Sequence, residues 1–218
     1  MNQGIQAVLF DLDGTFADTA PDLGRTINIM REARGLTPVP LSDTRSVTSL
    51  GARGLLRVGF NITPEAADYE ALRQEFLALY AANLCHLSTL FPGIAPLVDT
   101  LEMQGQPWGI VTNKAEELAR PLLTQLGYAQ RAACIIGGNT TPHLKPHPEP
   151  LLTAARQINI APQHCLYVGD DLRDIQAGRA AGMRTVGVRY GYLNGSDPDS
   201  WGADFLVNTA DEISALLQ

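Results

Sequence analysis

The chain has 218 residues, of which 45% are hydrophobic and 18% are charged, and its formal net charge at pH 7 is −7. This composition is typical of a globular chain that buries one large core and leaves length for a smaller unit beside it. The negative charge and the absence of a Lys/Arg run argue against a nucleic-acid partner, and the absence of any run of about 18 apolar residues argues against a membrane-spanning helix.

Six short apolar runs, each followed by polar residues, are predicted to be β-strands. Stretches with helical spacing lie between most of them, among them residues 115–127, which end at a glycine, and 148–158, which begin with prolines. This alternation predicts an α/β fold with a largely parallel sheet, helices on both faces and ligands beyond the carboxyl ends of the strands. The predicted strands cover residues 6–11, 107–113, 133–138, 165–171, 185–189 and 204–208.

The segment from residue 18 to residue 88 interrupts the alternation. It has three helical patterns, over residues 21–35, 42–59 and 64–84, and no strand pattern. We therefore expect an all-helical insertion that splits the α/β unit after its first strand. The predicted division is a core of residues 1–17 and 89–218 and an insertion of residues 18–88.

Polar residues stand at the carboxyl ends of the predicted strands, where such a sheet binds its ligands. "FDLDGT" puts two carboxylates after the first strand, and "GDDLRD" puts three more after a later one. Because the chain is negatively charged, an anionic ligand at this edge needs local positive charge from a metal ion, a lysine or a helix N-terminus. The residues concerned are Asp11, Asp13, Thr112, Asn113, Lys145, Asp170, Asp171 and Asp174.

Four motifs in this order resemble those of the haloacid dehalogenase superfamily, in its phosphatase branch, over nearly the whole chain. They are "DLDGT", "VTNK", "KPHPEPL" and "VGDDLRDIQAGRAAGM". Within that branch they are similar to phosphoglycolate phosphatases, while "YEALRQEFLALY" and "RYGY" resemble the related enzymes that hydrolyse N-acetylmuramic acid 6-phosphate. The resemblance implies a Rossmann-like core with a parallel sheet and an all-helical C1-type cap inserted after the first strand.

The resemblance also implies a Mg²⁺-dependent phosphatase that passes through an aspartyl-phosphate. Asp11 is the implied nucleophile, and Asp13 is the implied acid/base that protonates the leaving oxygen and later deprotonates water. Lys145 and the Thr112 hydroxyl would hold the transferring oxygens. Mg²⁺ suits such an all-oxygen site. Its implied ligands are Asp11, the backbone carbonyl of Asp13 and Asp170, with Asp174 holding metal-bound water. Asp171 could join Asp174 in this role or instead cap a helix.

Asn113 and Arg53 are predicted to contact the substrate. Arg53 lies in "SLGARGLL" of the insertion, where Gly51 lets the backbone approach and the guanidinium could grip a substrate carboxylate. Phosphoglycolate carries such a carboxylate, and so does the lactyl group of N-acetylmuramic acid 6-phosphate. The expected substrate is 2-phosphoglycolate. The alternatives are N-acetylmuramic acid 6-phosphate or another sugar phosphate, and a phosphomutase of the same superfamily, which keeps both acids of "DLDGT".

A signalling receiver domain also phosphorylates an aspartate with Mg²⁺, but it lacks DxDGT and is about half as long. The expected partner is a small-molecule phosphate monoester, with no nucleic acid and no membrane, and the chain is expected to be a monomer or a homodimer. The three cysteines are widely spaced and residues 1–6 lack a basic stretch before an apolar one. These two features predict a cytoplasmic location.

Overall fold

The six predicted strands are all present in a computed structural model that describes residues 4–217. They form one sheet in which every neighbouring pair is parallel. Two further strands of two residues each form a separate ribbon. In chain order the strands are β1 (Ala7–Phe10), β2 (Ala17–Asp18), β3 (Thr89–Leu90), β4 (Trp108–Val111), β5 (Cys134–Ile136), β6 (Cys165–Gly169), β7 (Arg184–Val188) and β8 (Phe205–Val207).

Strand β1 lies at the centre of the sheet, whose order is β5-β4-β1-β6-β7-β8. All four of its residues are fully buried, because successive side chains point to opposite faces and both faces are covered. Val8 and Phe10 pack into one hydrophobic cluster, and Ala7 and Leu9 pack into the other. The continuous apolar run is therefore explained by burial on two faces. Because β4 and β6 flank β1, the residues after these three strands meet at one edge.

Nine helices surround or follow the sheet in the described part of the chain. The predicted helices over residues 115–127 and 148–158 are confirmed to within a residue at each end. No helix within residues 4–217 is both long and apolar enough to cross a bilayer. The helices are α1 (Ala20–Glu32), α2 (Leu41–Arg45), α3 (Gly51–Phe60), α4 (Tyr69–Ala82), α5 (Ile94–Met103), α6 (Glu116–Leu126), α7 (Glu149–Gln157), α8 (Leu172–Ala180) and α9 (Asp211–Ala215).

Helices α1 to α4 occupy the predicted insertion, but the single helical pattern over residues 42–59 is wrong in detail. That stretch is divided into α2, a 3-10 turn over Thr48–Leu50 and α3. Gly51 causes the second break, because its φ of +62° cannot continue a helix. The prediction that residues 18–88 contain no strand is also wrong at one end, since Asp18 belongs to β2. A two-residue pairing is too short to leave an alternating sequence pattern.

The strands by which the chain enters and leaves the helical segment, β2 and β3, lie side by side. Ala17 pairs with Leu90 and Asp18 pairs with Thr89 in the antiparallel β2–β3 ribbon. The Asp22 carboxylate at the start of α1 accepts hydrogen bonds from the backbone and the hydroxyl of Ser88. The two connections between helices and sheet are therefore joined to each other at a single corner.

Candidate active site

The predicted site residues converge at the carboxyl edge of the sheet. Asp11 follows β1, Thr112 follows β4 and Asp170 follows β6, and all three side chains are buried. Lys145, from the loop between β5 and α7, and Asp174, from the first turn of α8, reach the same place and are buried as well. Buried charged groups of this kind need partners of opposite charge or a metal ion.

Three carboxylates lie together with too little positive charge beside them. Asp11, Asp170 and Asp174 each offer an oxygen, and these oxygens all lie within 4.8 Å of one another. Burial raises the pKa of Asp11 to about 6, with the charge of Asp174 adding to the effect and Lys145 opposing it. Burial, and then the charges of Asp11 and Asp174, raise the pKa of Asp170 well above its usual range. An all-oxygen cluster with this excess of negative charge fits Mg²⁺.

Lys145 is the cation that pairs with two of these three carboxylates. Its Nζ donates to Oδ1 of Asp11 at 2.7 Å and to Oδ1 of Asp174 at 2.7 Å. The Tyr167 hydroxyl, at 2.8 Å, and the Val111 carbonyl, at 3.1 Å, are also within hydrogen-bond distance of this Nζ, so four acceptors share its three N–H groups. Although burial alone would lower the pKa of Lys145, the charge of Asp11 raises it above its usual value. The ammonium therefore stays charged and fixes the orientation of the Asp11 carboxylate.

Asn113 holds the backbone of Lys145. Its Oδ1 accepts from the Lys145 N–H at 2.9 Å, and its Nδ2 donates to the Lys145 carbonyl at 3.0 Å. Both ends of the amide are therefore engaged within the protein, although Asn113 also borders the pocket described below. These two hydrogen bonds fix the backbone that carries Lys145, and the predicted contact of Asn113 with the substrate stays a prediction.

Glycine is required where the first motif passes Asp170. Gly14 has a φ of +90°, and a Cβ on it would lie 2.2 Å from Oδ2 of Asp170. A Cβ on Gly191 would lie 2.2 Å from the Asp170 Cβ. The backbone on both sides is therefore in close contact with the carboxylate, which also accepts hydrogen bonds from the Thr15 hydroxyl and the Tyr192 N–H.

Asp171 and Asp174 have different positions although they belong to one motif. Asp171 caps α8, accepting from the Arg173 N–H at 2.9 Å, while its own N–H donates to Oδ2 of Asp174 at 3.1 Å. Burial would raise the pKa of Asp171, but hydrogen bonds from Arg173 hold it below its usual value. Of the two, Asp174 joins the carboxylate cluster, and Asp171 is a helix cap. Arg173 also donates to the Ser49 carbonyl at 2.8 Å and so contacts the helical segment.

Asp13 is not part of the three-carboxylate cluster and has two side-chain partners. The Thr19 hydroxyl donates to its Oδ1. The Lys114 ammonium donates to Oδ1 at 3.0 Å and to Oδ2 at 3.1 Å. Lys114 stands inside the "VTNK" motif, yet sequence reasoning gave it no role. The signal available was its place directly after two predicted site residues at a strand end.

A pocket of about 570 Å³ connects these groups with the helical segment. Its floor includes Asp11 and Lys145, and its upper wall includes apolar side chains of the helices such as Leu50 and Phe76. Arg53, the predicted cap contact, borders the same pocket from α3 and is exposed. Arg73 of α4, which sequence reasoning missed, borders it too, as does Arg173.

Comparisons with known proteins agree with this fold. The family model described as "Haloacid dehalogenase-like hydrolase" matches residues 8–188. The chain is 51% identical, over 203 residues, to a phosphoglycolate phosphatase of Xanthomonas campestris pv. campestris (strain 8004), covering 93% of this chain and 91% of that protein. It is 44% identical, over 214 residues, to an N-acetylmuramic acid 6-phosphate phosphatase of Pseudomonas aeruginosa PAO1, covering 98% of this chain and 95% of the other.

A solved structure gives the same result for the fold. The crystal structure of a predicted phosphoglycolate phosphatase from Haemophilus somnus 129pt superposes with a TM-score of 0.88 at 28% identity, covering 100% of both chains. The chain therefore belongs to the haloacid dehalogenase-like hydrolases. It is an enzyme of that family and is similar, over nearly its whole length, to phosphoric monoester hydrolases.

Proposed function

We propose that the chain is a Mg²⁺-dependent phosphatase that hydrolyses a small phosphate monoester through an aspartyl-phosphate on Asp11. The observation that carries the proposal is the cluster of Asp11, Asp170 and Asp174 at the end of the central strand, with Lys145 bonded to Asp11 and Asp174. When bound, Mg²⁺ would be held by Asp11, the Asp13 carbonyl and Asp170. Its positive charge would offset the repulsion between the Asp11 carboxylate and the phosphate dianion.

In the first step, an Asp11 oxygen attacks phosphorus while the bond from phosphorus to the leaving oxygen breaks. Asp13 gives its proton to that oxygen. In the second step water attacks the phosphorus of the aspartyl-phosphate, Asp13 takes the proton of the water, and phosphate leaves with Asp11 restored. Lys145 orients Asp11 through its 2.7 Å bond to Oδ1. The buried Thr112 hydroxyl at the end of β4 is the proposed contact for the transferring oxygens.

The helical segment of residues 18–88 is proposed to act as a cap on a core of residues 1–17 and 89–218. The pocket between α3, α4 and the sheet edge supports this division, because the two sides of the pocket come from the two parts of the chain. A cap of this kind excludes water during phosphoryl transfer and contacts the leaving group. Arg53 is the proposed contact for a carboxylate on that group.

Phosphoglycolate is the first proposed substrate because a relative that is 51% identical is named a phosphoglycolate phosphatase. N-acetylmuramic acid 6-phosphate is a second candidate, and the pocket favours it. A volume of about 570 Å³ lies within the roughly 300–1,000 Å³ of pockets that enclose drug-sized ligands, and a two-carbon acid fills only part of it. The apolar wall formed by residues such as Leu50 and Phe76 also suits a larger leaving group.

The proposed partner is thus the phosphate monoester alone. The net charge of −7 supports the absence of a nucleic-acid partner. A cytoplasmic location and a monomeric or homodimeric state remain predictions from the sequence.

The test is phosphate release with Mg²⁺ across phosphoglycolate, N-acetylmuramic acid 6-phosphate, hexose phosphates and an aryl phosphate. We expect release that EDTA abolishes and Mg²⁺ restores, and that Ca²⁺ supports poorly because it prefers more ligands. Asp11→Asn should lose both turnover and the phosphoenzyme, since an amide is no nucleophile. Turnover in EDTA, or by Asp11→Asn, would contradict the mechanism, and isomerisation without phosphate release would indicate a phosphomutase.

A further inference from the structure

Lys114 connects the proposed acid/base to the helical segment. Its ammonium donates to both carboxylate oxygens of Asp13, at 3.0 and 3.1 Å. The same ammonium lies over the ring of Tyr80, 4.7 Å from the ring centroid. Asp13 and Lys114 come from the sheet edge, whereas Tyr80 comes from α4. One cation therefore makes its two side-chain contacts on opposite sides of the pocket.

The contact with Tyr80 is made by an uncharged ring. Burial raises the pKa of Tyr80 to about 12, so its hydroxyl stays protonated at neutral pH. Tyr80 is itself fixed, because it is 1% exposed and stacks on Phe76 with ring centroids 6.2 Å apart. A Lys ammonium over an aromatic face is attracted by the ring quadrupole, and more strongly where water is excluded. The Tyr80 ring thus gives the Lys114 ammonium a buried, fixed cation–π contact.

This contact matters because the side chain of a lysine is otherwise free to adopt many conformations. The ammonium is a compact charge on a flexible four-carbon stem, and when exposed to water it is strongly hydrated. The Lys114 side chain is only 8% exposed while α4 covers it. Movement of α4 away from the sheet would remove the Tyr80 ring and admit water, and the bonds from Lys114 to Asp13 would then compete with hydration.

We propose that Lys114 is a positioning residue that holds Asp13 in place for proton transfer only while Tyr80 of α4 covers it. The proposal rests on the proposed acid/base role of Asp13. It makes proton transfer to the leaving group dependent on closure of the helical segment over the pocket. The Thr19 hydroxyl, directly before α1, completes the set of groups that hold Asp13 from both sides of the pocket.

The test uses the ratio of kcat for an alkyl phosphate, whose leaving oxygen needs a proton, to kcat for 4-nitrophenyl phosphate, which needs little help. Lys114→Met removes the charge with little change in length and should lower this ratio roughly tenfold or more, a part of the roughly 10²–10⁴ that general acid catalysis supplies. Tyr80→Leu should lower it too, by less. Lys114→Arg should restore part of the ratio, and Tyr80→Phe, which keeps the ring, should retain it.

Gln74→Ala, an exposed position on the same helix, is the matched control and should leave the ratio unchanged. Equal losses on both substrates in Lys114→Met, or an unchanged ratio in Tyr80→Leu, would overturn the proposal. If Lys114→Met fails to fold, Lys114→Arg and the two Tyr80 variants decide. Asp13→Asn tests the acid/base role of Asp13 separately from the positioning role of Lys114. If the ratio falls in Asp13→Asn but not in Lys114→Met, only the role of Lys114 is refuted. If the ratio is unchanged in Asp13→Asn, the acid/base role itself is refuted.

Discussion

The raised pKa of Asp11 predicts how the stability of the metal-free protein changes with pH. Burial moves this pKa from an ordinary value of 3.8 to about 6, and the residue is 8% exposed, so solvent screens little of the effect. One pKa unit corresponds to 1.36 kcal/mol, which makes the penalty for ionising Asp11 in the folded protein about 3 kcal/mol. This is a large part of the roughly 5–15 kcal/mol that keeps a domain folded.

The sign follows from proton binding. Between pH 4 and 6, roughly, the folded protein binds a proton at Asp11 that the unfolded chain has lost. The free energy of unfolding should therefore fall as the pH rises through this window, and above it the whole penalty is present. Mg²⁺ binds the ionised carboxylates, so its stabilising effect should grow as the pH rises, reaching about 2.7 kcal/mol at a hundred times its Kd.

The assay is urea unfolding in EDTA at several pH values from 4.5 to 7.5, roughly, for the wild type and for Asp11→Asn. Asp11→Asn keeps the shape of the side chain and cannot ionise. The difference between the two proteins isolates this site from carboxyl groups whose pKa is lowered, such as Asp171, which act in the opposite direction. We expect the variant to gain about 3 kcal/mol on the wild type across the window. Parallel curves, or a wild type that gains stability relative to the variant as the pH rises, would refute the reasoning.

Two further predictions concern the substrate and the position of Lys145. Arg53→Ala should lower kcat/KM for monoesters that carry a carboxylate, by an amount that corresponds to a few kcal/mol of transition-state free energy, and should leave kcat/KM for aryl phosphates nearly unchanged. Steady-state kinetics on both substrates will measure this. Equal losses on both would mean that Arg53 acts on the phosphate or the cap instead. Asn113→Ala removes both hydrogen bonds to the Lys145 backbone and should cost roughly 1–3 kcal/mol in urea unfolding together with a lower kcat on every substrate. A variant with unchanged stability and normal kcat would contradict a role for Asn113 in positioning Lys145.

The sequence was sufficient wherever a residue's environment follows from its neighbours along the chain. Parallel strands buried on both faces are continuous apolar runs, so β1, β4 and β6 could be found without a structure. Their carboxyl ends then had to share one edge, and this is why Asp11, Thr112 and Asp170 could be placed together in advance. The helical character of residues 18–88 followed from hydrophobic periodicity for the same local reason.

The remainder depends on contacts between distant parts of the chain. Tyr167 looked like one more residue of a buried strand, yet its hydroxyl accepts a hydrogen bond from Lys145. Asn113 was predicted to contact the substrate because it follows a strand, and only the three-dimensional path of the Lys145 loop shows that it also makes two hydrogen bonds to that backbone. Lys114 and Tyr80 are 34 positions apart in sequence, so no local pattern could have paired them.

The β2–β3 ribbon has a consequence for how such a chain can change over evolutionary time. Because Ala17 and Leu90 are paired across the β2–β3 ribbon, whatever lies between them forms a closed loop whose ends are already in place. The entropy of closing a loop rises only with the logarithm of its length, by about 0.6 kcal/mol for each doubling. Inserts of very different lengths, and even a short turn, are therefore compatible with the same sheet. The proposed reacting groups after β1 and β6 can stay constant while the segment proposed to contact the leaving group is exchanged as a unit.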